Sequence, residues 1–298
     1  MDEEKISLKR ILPLLAVIVL GGLVFLSVRK GELAGTIIHH TVFYNEPTLT
    51  AHAYLVKFIG DKDYLLKKRE WKALPQASIT KLLTAVLARE ELTSSEWINF
   101  SKEAKDVEPK ISTVKEGGSL LLDDALRLAL MESDNDAALA LAQKVGEKLH
   151  ALSPPEAITN FVELLNQKKK DLGLKNSNFE NPIGLDNKNH YASAEDLAKI
   201  AEYIWYNHAD LWEISREIET VVYSDTGKEY RVSNTNELLK EFPTILGSKT
   251  GFTDKARGAL LLIYSVGPNK TAVIIILGSE DRFGDGKKII KWLETINE

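Results

Sequence analysis

The order in which hydrophobic periodicity changes along the chain constrains the fold more than any single residue does. Residues 51–58 alternate as a half-buried strand, 59–63 form a turn, and 64–68 supply a hairpin partner. Helical spacing then takes over: apolar side chains recur at three- and four-residue intervals after Pro75 and over 119–131, 158–170 and 194–212. The last third returns to strands, at 220–223, 229–233, 246–253, 259–266 and 271–277, before an amphipathic helix over 289–296. Such a chain buries both kinds of apolar face by packing its helices on its sheet, an α+β architecture. Residues 97–111 are mixed and polar and read as surface loops and short strands. Residues 172–189 form a loop rich in Asn and Gly.

The first helical run starts at Pro75-Gln76-Ala77-Ser78-Ile79-Thr80-Lys81. Pro75 sets an extended approach, and Leu82, Leu83, Val86 and Leu87 make the buried face, so Ser78 falls at the helix N-terminus. Three residues are nearly one helical turn, which puts the Lys81 amine within reach of the Ser78 oxygen. A serine is a weak nucleophile until something takes its proton. A lysine whose pKa is lowered by burial and by a second cation can do so near neutral pH, and N–H groups at a helix start can hold an oxyanion. The same spacing recurs at Ser27 to Lys30 and Ser112 to Lys115, so the pair alone also fits an ordinary helix start, and its partners decide.

The N-terminal part carries a different message. Residues 1–10 are short and charged, 11–28 run without a charge, and 29–48 read as a linker ahead of a folded domain over 49–298. The uncharged run is expected to be a transmembrane anchor. A cleaved signal peptide is the competing reading, but Ser27-Val28-Arg29-Lys30-Gly31 has no small-x-small cleavage pattern. Lys5, Lys9 and Arg10 slightly outnumber Arg29 and Lys30, which points to a cytoplasmic N-terminus and an extracytoplasmic domain. With a formal net charge of −5 and acids and bases interspersed, nucleic acid is not an expected partner. The absence of cysteine excludes disulfides and a thiolate nucleophile or ligand. His39, His40 and His52 lack a metal-ligand spacing and read as ordinary polar residues.

Two further motifs stand downstream. Ser133-Asp134-Asn135-Asp136 interrupts two helical runs; by itself it reads as a plain interhelix turn with a cap. Gly247-Ser248-Lys249-Thr250-Gly251-Phe252-Thr253 lies in a strand. Its glycines let something approach the backbone, and a lysine with a hydroxyl suits a carboxylate; a Gly-rich surface strand is the plainer alternative.

Together, Ser78-x-x-Lys81, Ser133-x-Asn135 and Lys249-Thr250-Gly251 form the motif set of penicillin-recognising serine enzymes. The chain resembles the serine-type D-alanyl-D-alanine carboxypeptidases, the low-molecular-mass penicillin-binding proteins, over about residues 50–298. Asn135-Asp136-Ala137-Ala138, Asn181-Pro182-Ile183-Gly184-Leu185-Asp186, Ala194-Glu195-Asp196-Leu197-Ala198 and Lys249 to Ala256 extend that likeness. The resemblance implies a β-lactamase/DD-peptidase-like fold: an antiparallel sheet flanked by helices, plus an all-helical subdomain. It makes Ser78 the nucleophile, Lys81 its base and Ser133 the proton relay to the leaving amine. Asn135 would hold the peptide backbone, and Lys249 and Thr250 the terminal carboxylate, with Lys249 depressing the Lys81 pKa. The N–H groups of Ser78 and Phe252 would form the oxyanion hole, beside Gly251.

The implied activity is carboxypeptidase trimming of peptidoglycan stem peptides through an acyl-enzyme, with β-lactams as covalent inhibitors and no metal or organic cofactor. DD-endopeptidase action on cross-links uses the same residues. A class A-like β-lactamase would need a glutamate for deacylation, which Glu163-Leu164-Leu165-Asn166 only superficially supplies; an inactive peptidoglycan-binding module is the non-enzymatic alternative. Two departures stand out. Asp134 occupies a position where glycine is common, with a consequence expected for substrate preference, and Gly60-Asp61-Lys62-Asp63 replaces the usual Asp-x-x-Thr-Gly hairpin.

Overall fold

The computed structural model describes residues 45–105, 112–268 and 270–297. The expected tail, the anchor over 11–28 and all but the end of the linker lie outside the described residues. The chain begins with strands β1 (Ala53–Phe58) and β2 (Leu66–Lys68), then a 3-10 turn (Ala77–Thr80) that runs into α1 (Lys81–Glu91). Next come β3 (Trp97–Asn99), α2 (Lys102–Lys105), β4 (Ser119–Leu121), α3 (Leu122–Arg127) and a short π-helix (Leu128–Glu132). Helices α4 (Asn135–Lys148), α5 (Pro154–Asp171), α6 (Ala194–Asn207) and α7 (Ala209–Arg216) follow. The remainder is β5 (Glu219–Tyr223), β6 (Glu229–Ser233), α8 (Leu238–Glu241), β7 (Ile245–Thr253), β8 (Arg257–Gly267), β9 (Lys270–Ser279) and α9 (Arg282–Thr295).

The main sheet is antiparallel with order β2-β1-β9-β8-β7, so the first strands of the domain pair directly with the last. Its two central strands read as unbroken apolar runs because both faces are dry. Leu55, Leu261, Ile263, Val273 and Ile275 face a core shared with the helical block. Their neighbours Val56, Leu260, Leu262, Ile274 and Ile276 face a second core with Ile289, Ile290 and Leu293 of α9. Period-two alternation thus builds two cores from one sheet. Helix α1 runs through the helical block, with every residue from Lys81 to Ala88 buried, and packs on α4, α5 and α6.

The buried Asp285 ties the start of the domain to α9. Its carboxylate accepts from the N–H groups of Thr50 (3.0 Å) and Ala51 (3.0 Å), from Thr50 Oγ1 (2.8 Å) and from Ser279 Oγ (2.7 Å). Burial of a carboxylate is tolerable only with this many donors.

Two expected helices divide. The run over 119–131 opens as a strand, because Ser119 to Leu121 pair with Trp97 to Asn99, and closes as a π-helix that Ser133 ends in the left-handed region. The run over 194–212 breaks at His208 (φ −142, ψ 48) between α6 and α7. Within 97–111, β3 is followed by the single turn of α2.

Candidate active site

The site grows from the backbone around Ser78. Ala77 has φ 49, a conformation costly for a residue with a Cβ, and the surroundings hold it there. Thr80 Oγ1 donates to the Ala77 carbonyl (2.9 Å) and accepts from Gln76 Nε2 (3.0 Å). The Glu180 N–H donates to His190 Nδ1 (3.0 Å), so Nε2 carries the ring proton and donates to Thr80 Oγ1 (2.8 Å). Burial lowers the His190 pKa to about 4, which keeps that tautomer neutral. Two glycines let other segments close in. A Cβ on Gly184 (φ +90) would sit 2.0 Å from the Ala77 oxygen, and one on Gly251 would sit 3.0 Å from the Ser78 nitrogen. Ser78 is therefore gripped between the 181–186 loop and strand β7.

Lys81 stands one turn on from Ser78, fully buried. Its Nζ donates to Ser78 Oγ (2.8 Å), Asn135 Oδ1 (2.8 Å) and the Ile183 carbonyl (2.7 Å). Three acceptors match the three donors of an ammonium. Burial nevertheless lowers its pKa to about 7, partly offset by Asp134. The amine is thus poised to exist in both forms near neutrality. The Ile183 carbonyl is delivered by Asn181, whose Oδ1 accepts from the N–H groups of Ile183, Gly184 and Leu185.

The second motif faces Ser78 across the cleft. Ser133 adopts φ 62 at the end of the π-helix and lines the cleft. Asp134, expected to bear on substrate preference, does not line the cleft: it is buried, and its side chain caps α4 by accepting from the Ala137 N–H (3.0 Å). A short polar side chain at this junction starts the helix that carries Asn135. Asn135 Oδ1 is taken by Lys81, which leaves its Nδ2 as the donor for another partner.

Among the described residues, strand β7 is an edge strand of the sheet, paired on one side by β8. Lys249 and Thr250 are buried along it, with Lys249 Nζ donating to the Thr250 carbonyl (3.0 Å). The Lys249 pKa falls well below its ordinary value, through burial first and then repulsion from Lys81 and Arg282. At Lys81 the lowering comes from burial, and the depression expected from Lys249 is not among its causes. Phe252 is 62% exposed at the cleft rim.

A cleft of about 730 Å³ joins these parts, and Ser78, Ser133, Asn135, Thr250, Gly251 and Phe252 all line it. Two lining residues escaped the sequence reading. Arg282, at the first turn of α9, lies 5.8 Å from the Phe252 ring centroid and 4.6 Å from that of Phe283, and burial lowers its pKa. A basic residue where the last strand turns into the last helix was the available signal. Thr235 bridges to Thr250 with an Oγ1 to Oγ1 distance of 2.6 Å. Glu163 is exposed on α5 and is absent from this lining, so it cannot serve as a deacylating carboxylate there.

A serine bonded to a buried lysine of lowered pKa, beside a cationic sheet edge, defines a serine acyl-transfer site of the penicillin-recognising class. The chain belongs to the D-alanyl-D-alanine carboxypeptidase family, peptidase S11, whose profile matches residues 41–280. It is 28% identical over 235 residues to the D-alanyl-D-alanine carboxypeptidase DacF of Bacillus subtilis, covering 77% of this chain and 58% of that protein. It is 30% identical over 259 residues to the D-alanyl-D-alanine endopeptidase of Escherichia coli, covering 84% and 79%. The fold matches the crystal structure of the Streptomyces K15 DD-transpeptidase with a TM-score of 0.77 at 24% identity, over 84% of this chain and 99% of that one.

Proposed function

We propose that the chain is a serine-type D-alanyl-D-alanine carboxypeptidase acting on peptidoglycan stem peptides. The observation that carries this reading is the 2.8 Å contact between Lys81 Nζ and Ser78 Oγ at a fully buried lysine. Neutral Lys81 takes the Ser78 proton as Oγ attacks the carbonyl carbon of the penultimate D-alanine. The N–H groups of Ser78 and Phe252 hold the oxyanion. Ser133 passes a proton to the departing amine, and Asn135 Nδ2 binds the peptide carbonyl. Thr250, Lys249 and Arg282 receive the terminal carboxylate, whose negative charge offsets the repulsion among the cations there. Gly251 leaves room for the extended substrate beside β7, and water then releases the acyl group from Ser78. β-Lactams acylate the same serine, and the net charge of −5 gives no electrostatic reason to expect nucleic acid as a partner.

Purified enzyme should release free D-alanine from a pentapeptide ending in D-Ala-D-Ala, and should hold a fluorescent penicillin far longer than one peptide turnover. The amine of an opened β-lactam remains tethered to the acyl group and stays in the cleft, whereas a released D-alanine clears a path for water. Penicillin turned over as fast as peptide would sink this reading and favour a β-lactamase. The 30% identity to a D-alanyl-D-alanine endopeptidase over 79% of its length supports a second reading, cleavage of cross-links; cross-linked dimer offered beside pentapeptide separates the two.

The uncharged 11–28 run supports a single-pass anchor, with 1–10 inside, 29–48 as linker and the 49–298 domain outside. Protease added to intact spheroplasts should digest the catalytic domain. Protection, where a known external protein is cut, reverses the topology.

A further inference from the structure

Thr235 sits in the short link between β6 and α8, which is pinned on every side. Asn234 Nδ2 donates to the carbonyls of Ser215 (2.9 Å) and Glu217 (2.8 Å), and the Ser233 N–H donates to Glu132 Oε1 (3.1 Å). The Thr235 N–H donates to the Met131 carbonyl (2.9 Å), two residues before Ser133. The hydroxyl of Thr235 then has two neighbours. Met131 O lies at 3.1 Å and can only accept; Thr250 Oγ1 lies at 2.6 Å and can do either.

One proton cannot serve both neighbours, so two arrangements exist. In the first, Thr235 donates to Met131 and accepts from Thr250, whose proton is then held by Thr235 and not offered to a ligand. In the second, Thr235 donates to Thr250, and the Thr250 proton is free to point into the cleft. Met131 keeps its bond from the Thr235 N–H in both. A carboxylate carries no proton and can only accept, so it selects the second arrangement. A neutral carboxamide terminus can itself donate to Thr250 and is compatible with the first.

We propose that Thr235 is a positioning residue that turns the Thr250 hydroxyl toward the substrate's terminal carboxylate, and so sets the preference for an anionic over a neutral C-terminus. This rests on the D-alanyl-D-alanine peptidase reading of the cleft. The chain of bonds also joins the carboxylate site, through Met131, to the turn that presents Ser133. A donated bond from Thr235 sharpens the Thr250 hydroxyl as a donor, because hydrogen bonds in series polarise one another.

The test uses two thioesters of one N-acyl-D-alanine, an acyl thioglycolate with a free carboxylate and the same thioester as its carboxamide, and reads the ratio of their kcat/KM values. Wild type should favour the carboxylate, and Thr235→Val should cut that ratio about fivefold, the weight of the one neutral hydrogen bond that orients and polarises the Thr250 hydroxyl. Thr235→Val keeps the shape and the main-chain bond to Met131. Thr235→Ser should restore the ratio. In a Thr250→Val background, Thr235→Val should shift the ratio no further, since its route is gone. An equal loss on both thioesters, an unchanged ratio, or an additive effect in the Thr250→Val background overturns the proposal. A wild type that cleaves neither thioester and takes no penicillin label overturns the peptidase reading itself.

Discussion

Ser78→Ala should abolish covalent labelling by fluorescent penicillin and all release of D-alanine, with the fold retained. The substitution removes one partly exposed hydroxyl and its bond from Lys81, and it deletes no core volume. Everything that grips residue 78 acts on the backbone of Ala77 or of Ser78 itself: the Thr80 hydroxyl, the close pass of Gly184 and the approach of Gly251. Those contacts persist in the variant, so circular dichroism and the melting temperature should stay near wild type. The chemistry does not persist, since a methyl group can neither attack a carbonyl nor form an ester. Labelled Ser78→Ala protein on a gel, followed by peptide mapping to another residue, would falsify the assignment of the nucleophile.

The parts readable from sequence share one trait: their meaning lies within one turn or one strand. Ser78 and Lys81 meet because three residues span almost one helical turn. The apolar runs of β8 and β9 declare a strand buried on both faces, and Lys249-Thr250-Gly251 falls in a strand as expected. What escaped depends on long-range partners or on backbone groups. Thr235 gains its role only from Thr250 and Met131. The third acceptor of Lys81 is the carbonyl of Ile183, and a main-chain oxygen has no sequence signature. Asp134 looked like a cleft residue because its neighbours Ser133 and Asn135 are. A helix cap turns inward, however, and only the placement of the α4 start reveals it. The π-helix over Leu128–Glu132 was hidden for a related reason: its apolar side chains fit an ordinary helical pattern equally well.

Lys81→Met should lower kcat/KM for D-Ala-D-Ala peptides by at least about 100-fold at pH 7, the usual share of a positioned base. Wild type should show a rising limb in its kcat/KM profile with an apparent pKa near 7. The sign follows from the direction of the shift. Burial favours the neutral amine, the neutral amine is the form that accepts the Ser78 proton, and its fraction grows as pH rises through that value. Below it, each pH unit should cost about tenfold, because the ammonium has no lone pair for the serine proton. Lys81→Arg separates charge from basicity: a guanidinium keeps the cation and its donors but stays protonated throughout. If Lys81 served only as a cation, holding Asn135 and the 181–186 loop in place, Lys81→Arg would recover most of the rate with a flat profile. If it is the base, Lys81→Arg should be as slow as Lys81→Met, and neither should show the limb near 7. A limb that survives in both variants belongs to another group and removes Lys81 from the proton transfer.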